Sequence, residues 1–240
     1  MQNRYTGDIG DFGKLGLLRV LQASGLSIGV NWYLVPDETH NGDGRLVQYL
    51  EDASFCSYDE DLWLGLKRIV SSGKREVSAL QKAQLLDAVF YSDLFSFSGK
   101  TEADRASFRE TWHRNAIATL SDVDIVFVDP DNGLLVPSAT GTRKENKYVK
   151  PAELADYYRQ ESSVVYYQHK ARVPDSVYIE KHKKLLQSSG FEGASGFGLK
   201  FTKTSLRYFF FLIQPVHKVV ITEAVEQMLA SSWGDYFALI

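Results

Sequence analysis

Apolar runs that stop abruptly at polar, turn-forming residues recur along the chain, and each predicts a strand of a buried sheet. The clearest run is Ile125–Val128, which contains no polar side chain and is followed at once by Asp-Pro-Asp-Asn-Gly at 129–133. An uninterrupted apolar run is typical of a strand buried on both faces of a parallel sheet. Further strands are predicted at 27–36, 88–91, 162–170, 191–201 and 207–214, the last two as a hairpin.

Apolar residues spaced three and four apart predict helices between most of these strands. The first helix begins near Asp8 or Asp11, either of which can cap it, and a helical insertion is predicted at about 46–87. The alternation predicts a single Rossmann-like domain over residues 1–240, a three-layer α/β fold with a mostly parallel sheet and a C-terminal antiparallel hairpin. The later helices are predicted at 102–120, 152–159, 175–186 and 219–229.

Composition narrows the class of protein. The chain has 240 residues, of which 44% are hydrophobic and 24% charged, so a folded core is expected and global disorder is not. A net charge of −3 is unlike that of a dedicated nucleic-acid-binding module. The single cysteine, Cys56, excludes an intrachain disulfide and a cysteine-based zinc cluster. Because no apolar run approaches the ~18 residues of a membrane span and the first residues lack a signal-peptide core, we expect a cytoplasmic protein without membrane or disulfide-linked partners.

Polar side chains follow two of the predicted parallel strands at the point where each strand ends. Asp129, Asp131 and Asn132 come after the central strand, and Gln168 and His169 close the next one. In open α/β sheets, ligands bind at the carboxyl ends of the strands, so these side chains are candidates for a common site. The alternative for 129–133 is an ordinary turn that is rich in turn-forming residues.

The start of the first helix combines charge with glycine. Asp8, Asp11 and Lys14 share one helix face at a spacing of three residues, and the free N–H groups of a helix start attract anions. Lys14 is either a functional cation or a lysine whose head reaches past an apolar face to water.

The first strand leads into a polar loop at 37–45, in which Gly42 and Gly44 allow close approach of the backbone to a ligand. A strand followed by Gly-x-Gly indicates a nucleotide-like cofactor, although the full Gly-x-Gly-x-x-Gly pattern is absent. Asp93, just beyond the short strand at 88–91, is a candidate ligand for a ribose.

A basic segment at 137–150 follows the central strand, and we expect it to be mobile. Arg143, Lys144, Lys147 and Lys150 are placed to contact the phosphate backbone of RNA or DNA. The alternative is a solvated charged loop without a ligand.

Three stretches together resemble the class I S-adenosylmethionine-dependent methyltransferases, and among them the J-type adenine-N6 methyltransferases of the large ribosomal RNA. Gly7–Lys14 is similar to the family's Asp-x-x-Lys motif before a helix, and Thr39–Arg45 matches its Thr-His-x-Gly-x-Gly-Arg loop. Asp129–Asn132 and Lys147-Tyr148 take the places of an Asp-Pro-Pro-Tyr motif and a Lys-x-Tyr-like stretch. The Gly-Asp-Ile-x-Asp and Asp-Pro-Asp-Asn-Gly signatures also resemble those of a bacterial family without an assigned activity.

The resemblance implies S-adenosylmethionine as cofactor and a base in a nucleic acid, or a similar molecule, as methyl acceptor. It implies no metal ion. The acceptor pocket would be formed by Asp129, Asp131 and Asn132. The implied cofactor-binding residues, with Asp93 added from its position, are Asp11, Lys14, Thr39, His40, Gly42 and Gly44. The candidate substrate-binding residues combine this resemblance with position along the chain. Lys147 and Tyr148 come from the Lys-x-Tyr-like stretch, Arg143 and Lys144 from the basic segment, and Gln168 and His169 from the end of the next strand.

The chain departs from the family at two positions of the turn. Asp131 replaces the second proline and Asn132 the aromatic residue, which removes a stacking platform of about 1–3 kcal/mol for a base. Two other functions therefore stay open. One is a Mg²⁺-dependent phosphodiesterase or nuclease, with oxygen ligands from Asp8, Asp11, Asp129 and Asp131. The other is a non-catalytic relative that binds a ligand on the same fold.

Overall fold

Nine strands and seven α-helices are found in the computed structural model, which describes residues 1–38, 44–204 and 206–240. The strands are β1 (Ile28–Asn31), β2 (Ala88–Tyr91), β3 (Ile125–Val128), β4 (Gly133–Leu134), β5 (Tyr148–Val149), β6 (Ser163–His169), β7 (Gly198–Phe201), β8 (Arg207–Leu212) and β9 (Phe237–Leu239). The helices are α1 (Ile9–Ala23), α2 (Glu60–Ser71), α3 (Val77–Lys82), α4 (Glu102–Thr119), α5 (Pro151–Arg159), α6 (Asp175–Leu186) and α7 (Lys218–Ala230).

Seven of these strands form one mixed sheet in the order β2-β1-β3-β6-β8-β7-β9. The first four run parallel, while β8 is antiparallel to β6, β7 to β8 and β9 to β7. The predicted mostly parallel Rossmann-like sheet and its C-terminal hairpin are thus confirmed. Because β3 lies between β1 and β6, the turn that follows it opens at the carboxyl edge of the parallel strands.

The central strand divides its side chains between two cores, one on each face of the sheet. Ile125 and Phe127 pack on the same side as α1, α2 and α7, whereas Val126 and Val128 pack on the side of α4, α5 and α6. This alternation follows from the two-residue period of a strand. All four side chains are fully buried, which explains why the run contains no polar residue.

The first helix is capped by Asp8, whose carboxylate accepts hydrogen bonds from the backbone N–H groups of Gly10 (2.7 Å) and Asp11 (3.0 Å). Such a cap satisfies N–H groups that have no partner within the helix. It decides between the two predicted cap residues in favour of Asp8.

Several elements differ from the predicted ones. Strand β1 ends at Asn31, because Tyr33 adopts a left-handed conformation (φ 44°) that an extended strand cannot accommodate. The basic segment contains regular structure: Arg143–Lys147 forms a 3₁₀ helix, and β5 then pairs with β4. Only Gly198–Phe201 of the predicted strand at 191–201 belongs to β7, and β9, which follows the last helix, was not predicted.

No helix within the described ranges is long and apolar enough to cross a bilayer. Cys56 is a free thiol, as the cysteine count requires. Between β1 and β2 the chain forms α2, α3 and two short 3₁₀ helices at Gln48–Glu51 and Ala53–Ser57.

Candidate functional site

A cavity of about 430 Å³ lies at the carboxyl edge of the parallel strands, where the start of α1 meets the turn after β3. Its volume is within the ~300–1,000 Å³ range of small-ligand sites. Its polar lining includes Asp8, Asp11, Lys14, Glu38, Asp129, Asp131, Asn132, Lys147, His169 and Arg207, and its other walls include Tyr5, Gly44, Leu46, Pro130 and Tyr167.

Lys14 is at the centre of a buried ion-pair group. Its Nζ lies 2.5 Å from Oδ2 of Asp129 and 2.9 Å from Oδ1 of Asp11, and the second oxygen of Asp11 accepts a hydrogen bond from the N–H of Gly7 at 3.0 Å. Lys14 is only 5% exposed, so its head does not reach past the apolar face into water. The structure therefore rejects the alternative of a lysine that extends to solvent.

The two carboxylates determine the charge of Lys14. Burial lowers the pKa of its ammonium, but Asp11 and Asp129 raise the pKa by more, so that Lys14 stays protonated. For Asp129, burial raises the pKa and outweighs the charge of Lys14. The Lys14 ammonium thus lies between two buried carboxyl groups. Because these three groups have little contact with water, removing the charge of any one of them is expected to change the stability of the fold.

The cap residue Asp8 also has an altered ionisation. Burial and the neighbouring charge of Asp11 raise its pKa from 3.8 to about 6, and Arg207, with Nη2 3.8 Å from the carboxylate, offsets only part of this. Its carboxyl group therefore changes charge at about pH 6, beside the N-terminus of α1.

This raised pKa predicts a pH-dependent stability. The folded state binds the Asp8 proton more tightly than the unfolded state, so the stabilisation from this group is present below pH 3.8 and is lost as the pH rises to about 6. Asp8→Asn keeps a good cap residue but cannot ionise. We expect the free energy of unfolding, from urea titrations between pH 4 and pH 7, to fall less steeply for Asp8→Asn than for the wild type. Parallel curves would contradict the prediction.

Asp131 ties three separate segments together at the rim of the cavity. Its carboxylate accepts hydrogen bonds from Nε2 of Gln2 (2.8 Å) and lies 3.2 Å from Nζ of Lys147, which is also 2.6 Å from Oε1 of Glu38. Although burial raises its pKa, the charges of the Met1 α-amino group and Lys147 hold the pKa of Asp131 below its ordinary value. Lys147 thus lines the cavity as a partner of two acids, and its contact with a phosphate backbone stays a prediction.

Gln168 supports the turn after β3 and does not line the cavity. Its Nε2 donates to the carbonyl oxygen of Asn132 (2.9 Å), and its Oε1 accepts from the N–H of Leu134 (3.0 Å). Gly133 between them has φ 109°, and a side chain at this position would collide with the Gln168 carboxamide. The sequence placed Gln168 at the correct edge, but its side chain bonds the backbone. His169, one residue later, lines the cavity, with Nδ1 3.3 Å from the Tyr167 hydroxyl.

Further predicted site residues, like Gln168, do not line the cavity. Asp93 is exposed beyond the outermost strand β2, and its carbonyl accepts a hydrogen bond from Nε1 of Trp112. Arg143 and Lys144 are exposed, because the 3₁₀ helix turns them away from the side on which Lys147 lies. Tyr148, in β5, bonds through its carbonyl to Arg109.

Three further predicted residues, Thr39, His40 and Gly42, lie outside the described residues. Gly44, at the end of that loop, does line the cavity, and its φ of 80° explains why glycine is needed there.

Sequence reasoning missed Tyr5, Glu38 and Arg207 as lining residues. For Arg207 a signal existed: it opens an antiparallel strand, and such a strand begins at the edge where its parallel neighbours end. Tyr5 ends a three-residue 3₁₀ helix and Glu38 comes from an irregular segment, and both are too short to show a sequence period that could have placed these residues.

The acids of the cavity are not arranged as a metal site. Among the side chains in the described ranges, no three His, Cys, Asp or Glu are grouped so that they could hold a metal ion. Asp11 and Asp129 instead direct their oxygens at the Lys14 ammonium. This arrangement does not supply the oxygen cluster that a Mg²⁺-dependent phosphodiesterase would need.

Fold and cavity together define a Rossmann-like α/β protein with a polar cavity at the carboxyl edge of its parallel strands. Comparison with known proteins does not narrow this class: no protein-family model matches the chain, and no curated protein matches it.

Proposed function

We propose that the protein is an S-adenosylmethionine-dependent methyltransferase that acts on a nucleic-acid base or a nucleotide-like acceptor. One observation carries the proposal: the three stretches that resemble the methyltransferase family all contribute to one cavity. Asp11 and Lys14 come from α1, Gly44 from the loop after β1, and Asp129–Asn132 from the turn after β3.

The charges of the cavity support this ligand. Among the described lining residues there are five carboxylic acids (Asp8, Asp11, Glu38, Asp129 and Asp131) against four basic groups, which are the side chains of Lys14, Lys147 and Arg207 and the α-amino group of Met1. S-adenosylmethionine carries a sulfonium and an ammonium group against a single carboxylate, so an acidic cleft attracts it.

The bound cofactor would supply an activated methyl group, which leaves positioning as the main task of the protein. The turn after β3 is built for this task. The N–H of Asp129 donates to the carbonyl of Asn31 (2.9 Å), Asp131 is bonded on two sides, and the carbonyl of Asn132 is held by Gln168. A turn anchored in this way holds an acceptor in one orientation toward the cofactor.

Calorimetric titration with S-adenosylmethionine tests the proposal directly. We expect saturable binding that S-adenosylhomocysteine competes with, followed by transfer of a labelled methyl group to RNA, DNA or nucleotides. Asp129→Asn should reduce transfer strongly, while Asp122→Asn, an exposed acid just before the same strand, should leave transfer unchanged. No heat at millimolar cofactor would refute the proposal. Cofactor binding without transfer to any acceptor would favour the non-catalytic relative, and Mg²⁺-dependent hydrolysis without cofactor would favour the phosphodiesterase.

A further inference from the structure

Asn132 has a main chain that is fixed on both sides of the turn. Its N–H donates to the carbonyl oxygen of Lys147 at 2.9 Å. Its own carbonyl accepts from Nε2 of Gln168 at 2.9 Å and from the N–H of His169 at 3.3 Å. The next residue, Gly133, is packed against Gln168 so closely that no side chain fits there. The Cα–Cβ bond of Asn132 therefore has a fixed starting point.

The side chain of Asn132 contrasts with this main chain. Asn132 lines the cavity and is partly exposed, yet its carboxamide forms no hydrogen bond with any residue in the described ranges. The neighbouring polar side chains are occupied: Asp129 by Lys14, and Asp131 by Gln2 and Lys147. A rigidly mounted but unused carboxamide in a ligand cavity is a group whose partner is a ligand.

A carboxamide restricts what that partner can be. It is planar and uncharged, and it offers an acceptor oxygen beside a donor NH₂. Its best complement is a flat edge that presents a donor next to an acceptor, as nucleobases do. A phosphate offers only acceptors and would bond only the NH₂ of the carboxamide. An ammonium group offers only donors and would bond only its oxygen.

We propose that Asn132 binds the edge of a nucleobase through paired hydrogen bonds and thereby determines which base the cavity accepts. This inference rests on the proposed function only in treating the base as the methyl acceptor; the binding itself requires no cofactor. The turn holds Asn132 in a fixed position, and its carboxamide forms the hydrogen bonds that distinguish one base from another.

Two substitutions separate base reading from structural support. Asn132→Leu has a similar size but forms no hydrogen bonds, and Asn132→Asp has the same shape but only acceptors. Guanine presents two neighbouring donors on its pairing edge, which suit a carboxylate. We therefore expect Asn132→Leu to weaken nucleoside binding by about tenfold or more, and Asn132→Asp to shift the preference toward guanosine. Asn115→Leu, an exposed asparagine on α4, is the matched control.

The measurement is calorimetric or NMR titration with adenosine, cytidine, guanosine, uridine and free ribose, without cofactor. We expect nucleosides but not ribose to bind the wild type, and S-adenosylmethionine affinity to stay within about twofold in all variants. If the wild type binds nucleosides but not S-adenosylmethionine, the base site stands and the methyltransferase proposal fails. If both Asn132 variants bind every nucleoside like the wild type, or if the wild type binds none, the inference for Asn132 is overturned whatever the cofactor does.

Discussion

Lys14→Met is expected to lower the free energy of unfolding by about 3–5 kcal/mol, the cost of removing one partner from a buried ion pair. The substitution removes the cation between the carboxylates of Asp11 and Asp129 and leaves only the Met1 α-amino group beside Asp129, and both acids are at most 3% exposed. Methionine fills nearly the same volume, so the loss comes from charge and little from packing. The loss is measured as the difference in the free energy of unfolding between the variant and the wild type, from urea titrations at pH 7.

Neutralising the acids should recover part of this loss. We expect Lys14→Met combined with Asp129→Asn to be more stable than Lys14→Met alone, because one uncompensated buried charge has been removed. Lys181→Met, on the exposed side of α6, is the control and should change stability by less than about 0.5 kcal/mol. A Lys14→Met variant as stable as this control would show that the ion-pair group contributes nothing to folding.

Arg109→Met is expected to be similarly destabilising, by about 3–5 kcal/mol. Two nitrogens of Arg109 lie 2.5 and 2.6 Å from the carboxylate of Glu153, and the same guanidinium donates to the carbonyls of Glu145 (3.0 Å) and Tyr148 (2.8 Å). Burial raises the pKa of Glu153, but the hydrogen bonds and charge of Arg109 outweigh this effect and hold the pKa of Glu153 below its ordinary value. Without Arg109, the buried carboxylate of Glu153 loses its cationic partner, and the segment that contains Lys147 loses two hydrogen bonds to its backbone.

The unfolding experiment is the same, and amide hydrogen exchange adds a local readout. We expect faster exchange at Asn132, whose N–H donates to the carbonyl of Lys147, than in the Arg114→Met control, an exposed arginine on the same helix. Adding Glu153→Gln to Arg109→Met should restore part of the stability. Equal unfolding curves for the variants at 109 and 114 would contradict the assignment.

Local rules were sufficient wherever a segment carries its own signal. The run Ile125–Val128 predicted β3 because a strand buried on both faces needs apolar residues at every position. The helix α6 was predicted at its observed bounds, Asp175–Leu186, because helical spacing and end signals lie within one short window. Asp8 was one of two predicted caps for the same reason.

The site shows where such rules stop. Lys14 was singled out by its place beside two acids on a helix face, but its bond to Asp129, which is 115 positions away, depends on how α1 packs against β3. The sequence likewise placed Gln168 and Asn132 at one edge without showing that one carboxamide bonds backbone while the other is free. Arg109 gave no signal, because its partner Glu153 lies on another helix.

By itself, then, the sequence determined the class of fold, the central strand and the sheet edge at which the polar cavity lies, because strand period, helix spacing and caps act over a few residues. Only the tertiary structure decided which polar side chains there are paired and which is unused, since each pairing joins segments far apart in the chain. The turn after β3 is the clearest case: its residues were evident, whereas the partners of Asp129 and Asp131 and the free carboxamide of Asn132 depend on packing.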